Sequence, residues 1–226
     1  MALPPEAIVQ LNLGHIWLAN MSLGIPVHGF LIKHPAGAGL VDTGYGTPLA
    51  LIKDYRPVNA SVAEALRTHD VDPSDIRWVI NSHLHFDHCG QNAVFPQAPF
   101  YVQRTEYEGR HRYADTPAEW LEFAGARVEL LDGEREIVSG VRVITTPGHT
   151  PGHQSVEVDT TAGPAVLTGD ACWTVTMFEG EAPLGGMMED LPTFKQSLDK
   201  LRRRKPAALH FCHDNRTWVA RSKPPP

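Results

Sequence analysis

Short apolar runs bounded by glycine and proline recur along the chain, and this pattern is typical of β-strands. The runs are AIVQLNL, GFLIKH, AGLVDTG, IRWVINS, PFYVQ, RVELLDG, VRVITTPG, QSVEVDT and PAVLTGD. The pattern therefore predicts a chain built mainly of β-structure.

Helical periodicity is confined to a few dispersed segments. In NASVAEALRTH, Ser61 and Glu64 have the spacing of a capping box, and in LPTFKQSLDKLRRR the residues Phe194, Leu198 and Leu201 recur at helical intervals. A third helix is predicted over RTEYEGRHRY. Because strands outnumber these helices and no repeat of fixed period is present, we predict packed sheets with helices outside.

Length and composition fit one domain. The chain has 226 residues, of which 42% are hydrophobic and 20% charged, enough to bury a substantial core. We predict a single domain over residues 1–226, with RSKPPP at 221–226 as a loose tail.

Charge, hydropathy and cysteine content narrow the possible partners and location. The formal net charge is −6, and the basic cluster RRRK at 202–205 falls within a predicted helix, so we expect no nucleic-acid partner. No segment resembles a membrane span or a signal peptide. Three cysteines cannot all pair within one chain, which favours reduced thiols and a cytoplasmic location.

The motif NSHLHFDHCG concentrates metal-binding side chains. His83 and His85 are two positions apart and would project to one side of an extended chain, whereas Asp87 and His88 follow as the chain turns. Two pairs of side chains can therefore face two neighbouring cations, and the density of the motif makes an ordinary surface loop a poor explanation.

Further histidines and an aspartate follow other strand-like runs. They are His149 and His153 in TPGHTPGHQS, Asp170 in LTGDACW, and His210 and His213 in LHFCHDN. Because the β-like runs WVIN, VRVITT, AVLTG and AALHFC precede the four segments, these side chains could meet along one rim of strand ends.

The ordered set of motifs resembles the metallo-β-lactamase superfamily from about Leu40 to His213. The resemblance implies an α/β (α+β) fold, an αββα sandwich of two mixed sheets flanked by helices. Within the superfamily, SHLHFDH, VQRTEYE, TPGHTPGHQS and the acidic FEGEAP are similar to segments of the quorum-quenching N-acyl homoserine lactonases.

That resemblance implies a dinuclear metal centre. One ion would be bound by His83, His85 and His149, the other by Asp87, His88 and His213, with Asp170 between them. Zinc is the first expectation for the two divalent ions, and manganese, cobalt or iron would also suit these ligands.

The implied reaction is hydrolysis of a small lactone or ester, with N-acyl homoserine lactones as the first expectation. A hydroxide shared by the two ions would attack the carbonyl carbon, and Asp87 or Asp170 would return the proton to the leaving group. Trp173 stands where these lactonases have a tyrosine that contacts the substrate carbonyl, so its part in catalysis is open.

The remaining candidate residues receive supporting roles. We expect His153 to orient a ligand or a turn, His213 rather than His210 to bind metal because strand alternation separates the two, and Asp42 to support the site. The three cysteines are each within two residues of a predicted ligand and are expected to pack: Cys89, Cys172 and Cys212.

Two further features bear on substrate and assembly. The stretch between VDTGYGTP and NASVAEAL is shorter than in typical lactonases of this group, which leaves chain-length preference, and the choice between monomer and homodimer, undecided. Apolar residues in two Gly- and Pro-containing segments could line a pocket, the second of which could form a mobile gate: Met21, Leu23, Ile25, Phe178, Leu184, Met187 and Met188.

Alternative functions on the same fold are a thioesterase of the glyoxalase II kind and a β-lactamase. A mononuclear iron persulfide dioxygenase would use fewer ligands, and an inactive metal-binding protein is a further alternative. The ratio of metal to protein and the substrate range separate these possibilities.

Overall fold

A computed structural model describes residues 1–17, 24–46, 53, 55–182 and 188–220. Within these ranges the chain forms two mixed sheets. The first has the strand order β4-β1-β2-β3-β5-β6-β7. Its strands are β1 (Ile8–Ile16), β2 (Ile25–Ile32), β3 (Ala38–Val41), β4 (Val58–Asn59), β5 (Ile76–Ile80), β6 (Pro99–Gln103) and β7 (Arg127–Leu131).

The second sheet has the order β13-β12-β11-β10-β9-β8. Its strands are β8 (Arg135–Val138), β9 (Val141–Thr145), β10 (Gln154–Thr160), β11 (Gly163–Leu167), β12 (Ala208–His210) and β13 (Thr217–Val219). The α-helices of the described chain are α1 (Val62–Arg67), α2 (Phe86–Cys89), α3 (Arg104–Glu108), α4 (Val175–Glu179) and α5 (Leu191–Arg203).

The two sheets pack face to face because their strands alternate between two apolar faces. In the first sheet Phe30, Val41 and Ile80 point into the space between the sheets. Val143 and Leu167 of the second sheet enter the same buried cluster from the other side. This inner core fixes the two sheets against each other.

Helices cover the outer faces of both sheets. On the first sheet, Val62 and Leu66 of α1 pack with Leu31, Leu40 and Val79. On the second, α5 buries an apolar stripe against the outward residues of β9, β11 and β12, the contacting residues being Phe194, Leu198, Leu201, Ile144, Val166 and Leu209. The predicted αββα sandwich is therefore confirmed.

Most predicted elements are present, with one correction. Each of the apolar runs contains a strand, and the helices predicted around Ser61 and Phe194 are α1 and α5. Ser61 Oγ accepts a hydrogen bond from the Glu64 backbone N–H, as expected of an N-cap. The helix predicted over RTEYEGRHRY is too long, because α3 stops at Glu108 before Gly109 and a 3-10 turn follows over Arg110–Arg112.

The topology brings the candidate residues to one rim. β3 and β5 run parallel, as do β11 and β12, while β9 and β11 are both antiparallel to β10. The carboxyl ends of β3, β5, β9, β11 and β12 consequently lie at one edge of the sandwich, and the motifs follow them directly.

Helices long and apolar enough to cross a membrane are absent from the described residues. The predicted tail at 221–226 lies outside the described residues.

Candidate metal centre

The HLHFDH segment changes from extended chain to helix in its middle. His85 has extended backbone angles and precedes α2, whose first turn carries Asp87 and His88. His83 and His85 therefore present their rings from the extended part, and Asp87 and His88 from the helical turn. This local change produces the two predicted pairs of side chains.

Three histidine rings form the first half of the centre. His85 Nδ1 lies 3.0 Å from His83 Nε2 and 2.9 Å from His149 Nε2. Burial lowers the pKa of all three groups, well below the ordinary value for His83 and to about 3 for His149. The rings are therefore neutral near pH 7. One shared proton cannot satisfy the three nitrogen atoms that converge here, His83 Nε2, His85 Nδ1 and His149 Nε2.

A carboxylate and two histidines form the second half. Asp87 Oδ2 lies 3.6 Å from the Nε2 atoms of both His88 and His213. The opposite ring nitrogens are held from behind: His88 Nδ1 donates to Asp42 Oδ2 at 2.9 Å, and His213 Nδ1 donates to the Pro26 carbonyl at 2.8 Å. Both Nε2 atoms consequently face Asp87.

Asp170 lies between the two halves and faces each with a different oxygen. Its Oδ2 is 3.2 Å from His149 Nε2, whereas its Oδ1 is 3.2 Å from His213 Nε2 and 3.4 Å from His88 Nε2. This split is the geometry expected of a carboxylate shared by two cations.

His153 positions Asp170 from outside the cluster. The Asp170 backbone N–H donates to His153 Nε2 at 2.8 Å, and His153 Nδ1 contacts Thr146 Oγ1 at 2.9 Å. Its Nε2 lone pair is therefore engaged by a peptide N–H, in agreement with the orienting role predicted for this residue.

Asp42 supports the centre from the end of β3, as predicted. Its φ of 59° is left-handed, a conformation that aspartate tolerates better than most residues. Its carboxylate accepts hydrogen bonds from the Ser82 backbone N–H and hydroxyl, both at 2.7 Å, besides the one from His88. Asp42 thereby joins the start of the HLHFDH segment to β3.

The charge balance of the second half favours cations. Burial alone would lower the pKa of His88 and His213, yet the carboxylates of Asp87 and Asp170 raise both above the ordinary value. Burial would also favour neutral Asp170, but His213, His88 and His149 hold its pKa well below the usual range. Concentrated buried carboxylate charge thus needs positive charge beside it.

The donor set fits metal ions at both halves. Four groups of side chains among the described residues have ligand atoms within 4.8 Å of one another: His83 with His85 and His149, His83 with His88 and Asp170, Asp87 with His88 and His213, and Asp42 with His88 and Cys212. Among the described residues, buried His88 Nε2 and Asp170 Oδ1 make no hydrogen bond. Such buried polar atoms without a partner, inside a mixed imidazole and carboxylate cluster, are what a divalent cation would satisfy.

His210 lies outside the cluster, whereas the thiol of Cys212 lies at its edge, 3.9 Å from Asp42 Oδ2. His210 Nδ1 contacts Thr217 Oγ1 at 3.2 Å, and the His210 ring meets Phe30 edge-on. The three cysteines are free and buried, and burial raises the pKa of Cys172 and Cys212 to about 12. The structure therefore agrees with packing roles for the thiols and with His213 as the inward-facing histidine.

A pocket with a mainly apolar lining opens onto the centre. Trp173 lines it with its ring edge-on to His149 and His213, at centroid distances of 5.9 and 6.1 Å. Its buried Nε1 has no hydrogen-bond partner within the described part of the chain. The remaining lining residues are Ile16, Ile25, Tyr55, His85, Phe86, Asp87 and Asp170.

The predicted pocket residues have mixed outcomes. Ile25 lines the pocket, whereas Phe178 and Met188 pack into the core cluster beneath α5. The gate expected after Trp173 begins with helix α4, which ends at Gly180 with a φ of 82°. Four other predicted pocket residues, and two glycines of the gate, lie outside the described residues: Met21, Leu23, Leu184, Met187, Gly185 and Gly186.

Comparison with known families settles the ancestry. The sequence model of the Metallo-beta-lactamase superfamily matches residues 24–213, a range that contains every predicted ligand. The chain belongs to this superfamily. Its relatives include an N-acyl homoserine lactonase from Bacillus sp., 33% identical over 210 residues that cover 85% of this chain and 82% of that protein. The N-acyl homoserine lactonase AttM from Agrobacterium fabrum is 33% identical over 233 residues, covering 89% and 86% of the two chains.

Solved structures of this superfamily share the whole architecture. An N-acyl homoserine lactone hydrolase with the product N-hexanoyl-L-homoserine bound at its catalytic metal center superposes with a TM-score of 0.80 at 29% identity, covering 95% of each chain. A quorum-quenching N-acyl homoserine lactone lactonase gives a TM-score of 0.80 at 30% identity, covering 95% of this chain and 94% of that one.

Two buried polar residues beside the centre are not among the residues predicted from the sequence. Ser82 links Asp42 to the histidine motif, and Glu106 accepts hydrogen bonds from the segments carrying His85 and His149. A signal for each was present, since Ser82 directly precedes His83 and Glu106 lies inside the quoted VQRTEYE.

Proposed function

We propose that this chain is a dinuclear metal-dependent lactonase that opens N-acyl homoserine lactones. The observation that carries the proposal is the placement of Asp170, whose two carboxylate oxygens face two separate groups of ligand atoms. Relatives named as lactonases and a structural neighbour with a bound homoserine product support this substrate class.

The proposed ligand sets follow the two halves of the cluster. His83, His85 and His149 would hold one ion, and Asp87, His88 and His213 the other, with Asp170 shared. Zinc suits a set rich in neutral imidazole, and manganese, cobalt or iron are accommodated by the same donors. When bound, two such cations lower the pKa of water toward about 7 and polarise a carbonyl group.

Two side chains of the pocket would act on the substrate. Asp87 directs Oδ2 at the imidazoles, whereas both oxygens of Asp170 face ligand atoms. We therefore assign to Asp87 the acceptance of a proton that originates from the attacking water and its return to the leaving alkoxide. The buried indole N–H of Trp173 would donate a hydrogen bond to the substrate carbonyl.

The pocket chemistry favours an acyl lactone over a glutathione thioester. Glutathione carries two carboxylates, and the described lining of this pocket contains no lysine or arginine to pair with them. Ile16, Ile25, Phe86 and Trp173 offer apolar surface, on which an acyl chain buries hydrocarbon. The thioesterase alternative is therefore ranked second.

The proposal also covers the cellular location, the partners and the oligomeric state of the protein. Three free thiols are compatible with a reducing compartment, and we propose a cytoplasmic enzyme. The negative net charge supports a small-molecule substrate and no nucleic-acid partner. We propose that the chain acts as a monomer or a homodimer.

A substrate panel read by a pH indicator tests the function. The panel contains N-acyl homoserine lactones of several chain lengths, simple lactones, a glutathione thioester and a β-lactam. We expect turnover of acyl homoserine lactones to exceed the other classes. Failure to hydrolyse any lactone, by protein containing its metals, would overturn the proposal.

The shared carboxylate is tested by Asp170→Asn. We expect loss of at least one metal ion and a fall in kcat of about 100-fold or more, because the amide cannot offer two anionic oxygens. Asp199→Asn is the matched control, since Asp199 is 56% exposed on α5 and pairs with Arg202. Full metal content and activity in Asp170→Asn would show that Asp170 is not shared.

A further inference from the structure

The carboxylate of Glu106, in α3, is buried and surrounded by hydrogen-bond donors. Glu106 is 1% exposed, and no lysine or arginine pairs with it among the described residues. Its Oε1 accepts from the Leu84 backbone N–H at 3.0 Å and from the Tyr113 hydroxyl at 2.9 Å. Its Oε2 accepts from the Thr150 hydroxyl at 2.8 Å and from the Gly152 backbone N–H at 3.0 Å.

These donors belong to the two segments that carry the first group of histidines. Leu84 lies between His83 and His85, and Thr150 directly follows His149. The Tyr113 ring also meets the His85 ring edge-on, with centroids 4.8 Å apart. One carboxylate therefore ties together the chain segments from which three predicted ligands project.

The donor pattern requires a carboxylate rather than an amide. A hydroxyl can rotate and become an acceptor, but a backbone N–H cannot. Each Glu106 oxygen accepts from one backbone N–H, that of Leu84 or of Gly152. A glutamine here would place its NH₂ group against one of these N–H groups in either orientation.

We propose that Glu106 is a positioning residue that sets the spacing of the His83, His85 and His149 side chains and thereby the affinity of that half of the centre for its cation. The inference rests on the metal centre of the proposed function. Glu106 itself has no contact with the predicted ligand atoms, so it acts through the backbone of the two segments.

The test is titration of metal-free protein with Co²⁺, followed by visible absorption of the bound ion. For Glu106→Gln we expect the dissociation constant of one Co²⁺ equivalent to rise by about 10- to 100-fold, with a changed d–d spectrum, while the other equivalent changes by less than about threefold. Glu108→Gln is the matched control, because it makes the same chemical change on an exposed side chain of the same helix.

A milder variant decides the question where Glu106→Gln does not fold. Tyr113→Phe keeps the carboxylate and the ring contact with His85 but removes one donor, and we expect an increase of about three- to tenfold in the same dissociation constant. Wild-type affinities and spectra at both sites in the folded variants would overturn the inference, as would equal weakening of both sites.

A negative result for the Glu106 inference can be distinguished from a negative result for the proposed function. The Co²⁺ titration needs no substrate, so it tests Glu106 even if wild-type protein hydrolyses no lactone. Conversely, a lactonase whose Glu106→Gln variant binds both Co²⁺ equivalents normally would keep the function and lose this inference.

Discussion

His213 and His210 lie three residues apart, yet their rings have different surroundings. His213 Nε2 is 3.2 Å from Asp170, whereas His210 contacts Thr217 and Phe30. We predict that His213→Ala loses one metal ion and lowers kcat by about 100-fold or more, and that His210→Ala stays within about threefold of wild type. Metal analysis and lactone turnover of both variants check this, and the reverse ranking would exchange the two assignments.

Trp173 carries a buried indole N–H, and its ring lies beside the predicted ligands His149 and His213. If its N–H binds the substrate carbonyl, Trp173→Phe removes one hydrogen bond worth about 1 to 1.5 kcal/mol and lowers kcat/KM by about tenfold. Trp173→Tyr keeps a donor and is expected to stay closer to wild type. Unchanged kinetics in the phenylalanine variant would assign Trp173 to packing against His149 and His213.

At the scale of elements, the turn between β9 and β10 depends on Gly148. Gly148 has a φ of 128°, and a Cβ atom there would lie 2.3 Å from the Phe194 backbone nitrogen in α5. The neighbouring residue is His149, so an added methyl group would displace a predicted ligand and the start of α5 together.

Gly148→Ala is therefore expected to weaken both folding and metal binding. We predict a loss of about 3 kcal/mol or more in the free energy of unfolding, measured by urea denaturation. Gly133→Ala is the control, because Gly133 also has a positive φ, 96°, but has no atom within 4 Å of the added Cβ. The control should lose only about 1 to 2 kcal/mol. Equal losses of unfolding free energy in Gly148→Ala and Gly133→Ala would show that the contact with α5 does not contribute to the effect.

An ion-pair cluster fastens the end of α5 to the second sheet. Glu157 of β10 bonds to Arg204 at 2.5 Å and to Arg142 of β9 at 2.8 Å. Burial alone would raise the pKa of Glu157, but Arg204 and Arg142 lower it below its ordinary value. A lowered folded-state pKa contributes stability that is present above the unfolded value, about 4.3, and is lost as the pH falls through the folded value.

Glu157→Gln should consequently destabilise the protein in a pH-dependent way. We predict a loss of about 1 to 2 kcal/mol at pH 7, measured by urea denaturation, that shrinks steadily below about pH 4. Glu129→Gln, at an exposed position of β7, should have little effect at either pH. A loss that is the same at pH 7 and pH 3 would mean that packing, not charge, accounts for it.

Elements were predictable where the local pattern was long enough to show a period. Phe194, Leu198 and Leu201 mark α5 because they recur at helical spacing over about two turns. Helices α2 and α4, of four and five residues, are too short to show any period, and the edge strands β8 and β13 are half-buried or exposed rather than apolar. The predicted third helix is longer than α3 because the sequence does not reveal where the backbone leaves helical hydrogen bonding.

At the scale of the whole molecule, the convergence of the candidate ligands could be predicted because each lies shortly after the carboxyl end of a strand. Parallel strand ends meet at one edge, so a motif after each end is enough to place its side chain near the others. Glu106 could not be predicted in this way. Tyr113 is seven residues away, but its partners Leu84, Thr150 and Gly152 lie 22 to 46 residues away in sequence, and a glutamate in a short charged helix looks solvent-exposed until the fold buries it.

The fold thus joins two sheets so that carboxylates and imidazoles from both become one buried cluster. The sheets contribute different halves of it: the HLHFDH segment and Asp42 extend from the first sheet, and His149, Asp170 and His213 from the second. The cluster therefore exists only when both sheets are packed, and bound cations would stabilise that packing.

The most direct test of the central claim is the number of metal ions per chain, measured by elemental analysis alongside N-acyl homoserine lactone hydrolysis during stepwise chelation. The account predicts about two divalent ions per chain, activity that disappears as they are removed, and recovery when zinc, manganese or cobalt is returned. Full hydrolysis by metal-free protein would contradict it, as would a single iron accompanied by thiol-dependent oxygen uptake.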